Sequence, residues 1–96
     1  MSLYFVRHQH PAEHCPAKDP QMGSVLLQHL SPAQAKQFGI QIHGDAVLDG
    51  AHTLVLILEA ENQAKVEAYL QPFRQAGTVE IFAASPCESV VERQGC

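Results

Sequence analysis

The chain has 96 residues, a 46% apolar share and a formal net charge of −4, which suits one small globular domain, residues 1–96, with a single core. Its six Lys/Arg (Arg7, Lys18, Lys36, Lys65, Arg74 and Arg93) are scattered, so no basic stripe is present to neutralise phosphates and a nucleic-acid partner is not expected. No apolar run approaches the ~20 residues of a membrane span, and Met1–Val6 lacks the pattern of a signal peptide, so a cytoplasmic location with no membrane partner is expected.

Leu3–His10 reads as a first strand. Tyr4, Val6, His8 and His10 alternate with Leu3, Phe5, Arg7 and Gln9. Both sides are apolar at first and polar later, as in a central strand whose far end opens onto a site. Pro11–Lys18 reads as a loop. Asp19-Pro20 resembles an N-cap followed by proline at the first helical position. Met22, Val25, Leu26 and His29 then share one helical face. Ser31-Pro32 repeats the cap signal, so the helix breaks, restarts and stops at Gly39.

Ile40–Leu48 reads as a second strand, and Asp49-Gly50 as a hairpin turn. His52–Glu59 is apolar or β-branched on both faces and reads as a third, central strand. A second helical segment covers Glu61–Gln75, with Val66, Tyr69, Leu70 and Phe73 at helical spacing. Pro72 is expected to bend it or end its regular part. Thr78–Ala84 is a fourth strand, and residues 85–96 form a tail without a clear pattern.

The order β-α-β-β-α-β predicts a ferredoxin-like α+β domain: one four-stranded antiparallel sheet in the order 4-1-3-2, with two helical segments on one face. The other face is also apolar at its central strands. A second copy of the chain is the simplest cover for it, so a homodimer is expected.

The element order and the segment VEAYLQPFRQAGTVEIFAAS, Val66–Ser85, resemble the dimeric α+β barrel proteins. The H-x-H…C-P opening is similar to that of small uncharacterised bacterial members of this group. The resemblance implies the fold and dimerisation. Other members include quinone-forming monooxygenases, haem-degrading enzymes, chlorite-processing haem proteins and stress-response proteins, so it does not choose an activity.

The stretch RHQHPAEHCP, residues 7–16, is the main pointer to chemistry. His8 and His10 lie two apart on a strand and face one side, about 7 Å apart along it. The third strand runs antiparallel to the first, which brings His52 beside them. The loop with His14 and Cys15 leaves from the same edge. His43 belongs at the opposite end, and His29 is expected to pack within its helix. Two imidazoles with a third donor from His52, His14 or Cys15 suit a transition metal: zinc, copper, iron or nickel, with a thiolate favouring zinc or copper. Glu13 or Asp49 would orient an imidazole or add a carboxylate.

Three readings remain open for this cluster. One is a metal centre that stores, senses or uses the ion. Another is a cofactor-free enzyme of monooxygenase or isomerase kind, with His8 or His10 as general base in a cavity between subunits and a small-molecule ligand. The last is a thiol-based stress or interaction protein, in which Cys87 and Cys96 pair or a tail thiol caps Cys15. Histidines that merely finish a half-buried strand would need none of these. No phosphate-binding loop, dinucleotide fingerprint or nucleophile elbow is present.

Overall fold

Side-chain alternation decides how each face of this sheet is covered. The computed structural model describes residues 1–96. Its elements are β1 (Ser2–Gln9), α1 (Pro20–His29), α2 (Pro32–Gln37), β2 (Gln41–Leu48), β3 (Thr53–Ala60), α3 (Gln63–Tyr69), α4 (Gln71–Ala76), β4 (Thr78–Ala84) and α5 (Cys87–Glu92). Two 3₁₀ turns, Ala12–His14 and Pro16–Lys18, link β1 to α1. The strands form one antiparallel sheet ordered β2-β3-β1-β4. This is the expected ferredoxin-like α+β arrangement, the order 4-1-3-2 read from the other edge.

Tyr4, Val6 and His8 alternate onto one face of β1, opposite Leu58, Leu56 and Leu54 of β3. All six are buried. Ala35 from α2 and Val66, Tyr69, Leu70 and Phe73 from α3 and α4 complete the core above them. The other face carries Leu3, Phe5, Val55, Ile57 and Phe82, with Ile57 and Phe82 45% and 46% exposed. Across that face the Arg7 guanidinium donates to the Glu80 carboxylate on β4, with Nε···Oε1 at 2.7 Å.

Asp19, Ser31 and Asn62 cap α1, α2 and α3, each accepting a backbone N–H of the first turn. Helix one breaks and restarts at Ser31-Pro32 as its cap signals require. The second helical segment divides at Leu70, and Pro72 stands in the first turn of α4, where its missing N–H costs nothing. Gly77 then lets two segments of the chain pass closely: a Cβ there would lie 2.0 Å from the backbone oxygen of Gln9. α1 is tied to α3 reciprocally. His29 Nε2–H donates to the Tyr69 carbonyl at 2.8 Å, and the Tyr69 hydroxyl donates to the His29 carbonyl at 2.8 Å. Burial pushes the Tyr69 phenol up to about 12.

Two expectations are corrected. β3 begins at Thr53, so His52 lies in the connection rather than on the strand. That connection is the four-residue segment Asp49–His52, not a two-residue hairpin, because Gly50 and His52 both take left-handed backbone (φ 73° and 49°). The tail forms a short helix, α5, after Pro86. No helix is long and apolar enough to cross a membrane.

Candidate metal centre

The site is assembled where β1 ends. His10 follows the last residue of β1, and its N–H donates to the His52 carbonyl at 3.1 Å. This extends the β1–β3 ladder by one rung and brings the rings of His10 and His52 to 5.5 Å between centroids. Cys15 arrives by a different route. Pro11 and Pro16 fix φ on either side of it, and the two 3₁₀ turns fold the chain back. The Cys15 N–H donates to Ala12 and its carbonyl accepts from Lys18. Cys15 is therefore the corner between two turns, and its thiol returns to the histidines.

His10, Cys15 and His52 each offer one donor atom, and these atoms lie within 4.8 Å of one another. All three residues are half-buried. His8 supports them from below. Its Nδ1 is 3.1 Å from the Thr78 carbonyl, and its Nε2 is 3.3 Å from Nδ1 of His10. A carbonyl only accepts, so His8 carries its proton on Nδ1. Its Nε2 must then accept, and His10 must donate from Nδ1. The lone pair of His10 is thereby forced onto Nε2. That atom is buried and has no hydrogen-bond partner. A buried nitrogen acceptor without a donor is costly to leave so, and it is what a metal ion would satisfy.

Electrostatics act in the same direction. Burial lowers the pKa of His8 from the ordinary 6.5, and the neighbouring His10 adds to this, against a raising contribution from the Thr78 carbonyl. His10 is also lowered, first by burial and then by His52 and His14. Neutral imidazole is the form that binds metal.

The remaining predicted residues are distributed as follows. His14 is exposed on the first 3₁₀ turn, near enough to influence His10 but outside the three-donor group. Glu13 is exposed beside it. Asp49 is exposed at the start of the β2–β3 connection and lines the cavity described next. His43 is at the opposite end of β2, paired with Glu59 at 3.3 Å. Cys87 follows the end of β4, which pairs with the start of β1, so it is remote from the histidines. Cys87 and Cys96 are exposed, and all three cysteines are free thiols.

The donors stand at one wall of a cavity of about 390 Å³. It is lined by Leu54, Phe73 and Ala76, by Met22, Val25 and Leu26 of α1, and by Val47–Gly50. His29, packed in its helix against Tyr69, lines it as well. The signal was present in the sequence: His29 shares a helical face with Met22, Val25 and Leu26. His8 and His10 line this cavity, on the helix-covered face of the sheet. No protein-family model matches the sequence, and no curated protein matches it.

Proposed function

We propose that this chain is a transition-metal-binding domain in which His10 Nε2, Cys15 Sγ and a ring nitrogen of His52 hold one zinc or copper ion. The observation that carries this reading is the convergence of His10, Cys15 and His52, whose donor atoms lie within 4.8 Å of one another, together with a buried His10 Nε2 that has no hydrogen-bond partner. Two imidazoles and one thiolate form a borderline-soft set that suits those metals. Tetrahedral zinc would hold the donors about 3.5 Å from one another, a closure of at most about 1.3 Å from separations within 4.8 Å. His52 and Cys15 both lie on turns, where such a closure is easily made. Three protein ligands with a fourth position facing a cavity is the pattern of a site that works on something, not of a closed structural site. The ion would polarise a donor atom entering from the cavity, or a water there.

The ion belongs with a reducing compartment such as the cytoplasm, where Cys15 stays available as a thiolate. The chain also acts as a homodimer of the dimeric α+β barrel kind. The support is the apolar sheet face around Ile57 and Phe82, which no helix of the chain covers.

The test is metal content after chelation, reloading with zinc and gel filtration. Wild type should retain close to one ion per chain, as should His14→Ala. Cys15→Ser and His10→Ala should each lose most of it, since removal of a ligand costs at least tenfold in affinity. Equal zinc in wild type, Cys15→Ser and His10→Ala would contradict the proposal.

A further inference from the structure

The cavity beside the donors has a composition that selects what enters it. Apart from the histidines and Cys15, its walls are mainly apolar, and Asp49 is the one charged side chain among them. No lysine or arginine is available to pair with an organic anion. With two neutral imidazoles, one thiolate and a divalent ion, the centre carries a single positive charge. The Asp49 carboxylate, which lines the same cavity, offsets it. A neutral donor can therefore complete the coordination without leaving a charge uncompensated in an apolar space.

Shape narrows the choice. The Phe73 ring stands between two histidines, with centroids 5.1 Å from His8 and 5.8 Å from His29. His8 meets it edge-on. This makes one side of the cavity an aromatic wall, which favours a flat ring. A volume of about 390 Å³ lies at the small end of organic-ligand pockets. The N/N/S donor set favours a metal that prefers nitrogen or sulfur in its fourth position.

The geometry points to an uncharged aromatic nitrogen heterocycle as the ligand: its ring nitrogen completes the coordination of the ion, and an apolar substituent lies against Phe73, Leu54 and Val25. This inference rests on the metal reading above and adds the ligand class to it.

The full-length chain loaded with cobalt(II), a spectroscopic substitute for zinc, separates the two. Visible absorption is followed above neutral pH while the protein is titrated with 4-phenylimidazole, imidazole and benzoate. The expected result is half-saturation by 4-phenylimidazole at a concentration at least tenfold below that of imidazole, because the phenyl group leaves water. Benzoate should bind more weakly than 4-phenylimidazole. Val25 is 57% exposed, so Val25→Trp is compatible with folding and would fill the cavity. It should remove the advantage of 4-phenylimidazole over imidazole, while the thiolate-to-cobalt absorption of the unliganded protein is retained, since Val25 is not one of the three donors. Equal titration by the two azoles, an advantage that survives Val25→Trp, or tighter binding of benzoate would overturn the ligand class while the metal reading stands. Absence of thiolate-to-cobalt charge-transfer absorption in the unliganded protein would overturn both.

Discussion

His8 is bound at both ring nitrogens, to the Thr78 carbonyl and to His10. It is therefore a positioning residue: it fixes which nitrogen of His10 is free. Its burial has a consequence for stability. The folded chain holds His8 and His10 below the ordinary imidazole value, so below about pH 6.5 the unfolded chain takes up protons that the fold refuses. The contribution of these two groups is complete above that pH and is lost as pH falls through their lowered values. In chelator-treated protein, the urea midpoint should be level above pH ~7 and begin to fall as pH drops below about 6.5, before most carboxylates titrate. His8→Gln should flatten that fall. A midpoint that rises on acidification would contradict the assignment. At this scale the sequence was partly readable. Period-two alternation places His8 and His10 on one face, but it does not reveal that one imidazole would serve as the hydrogen-bond partner of the other. That follows from the Thr78 carbonyl, seventy positions away in the chain.

At the scale of elements, the strands and caps were legible because their signals are local. Asp19-Pro20 and Ser31-Pro32 start helices where side-chain oxygens meet orphan N–H groups. Thr78–Ala84 is the fourth strand at both ends. The β2–β3 connection was harder. Asp49-Gly50 indicates a tight turn, yet His52 adopts left-handed backbone, uncommon for a residue with a Cβ, and so leaves β3 to join the site. Cys15 likewise depends on two successive 3₁₀ turns, which have no distinctive pattern beyond Pro11 and Pro16. Gly77 links helix packing to the site, since it abuts Gln9 and His10. Gly77→Ala should push the end of β1 away from α4, destabilise the fold by roughly 1–3 kcal/mol and weaken zinc binding. Chemical denaturation and zinc titration would measure both effects. An unchanged midpoint would show that the chain relaxes there without cost.

For the whole molecule, one sheet face packs under helices and the other is left apolar. Apolar pattern on both faces of β1 and β3 made that legible in the sequence. What covers the second face was not, since a partner contributes no residues to this chain's pattern. A second copy of the chain is the proposed cover, and Ile57→Asp would place a carboxylate at the middle of it. Sedimentation should show a wild-type dimer and raise the dissociation constant of Ile57→Asp at least tenfold, with circular dichroism unchanged. A wild type that is monomeric at every concentration would contradict the proposal. The proposed metal site lies on the opposite, helix-covered side, with its three candidate donors in one chain, so ion content is expected not to depend on dimerisation. The most direct test of that centre is X-ray absorption at the zinc edge of the loaded protein. Two nitrogen scatterers near ~2.0 Å and one sulfur near ~2.3 Å, with the sulfur absent in Cys15→Ser, are the expected result; a shell of oxygen and nitrogen alone, identical in wild type and Cys15→Ser, would contradict it.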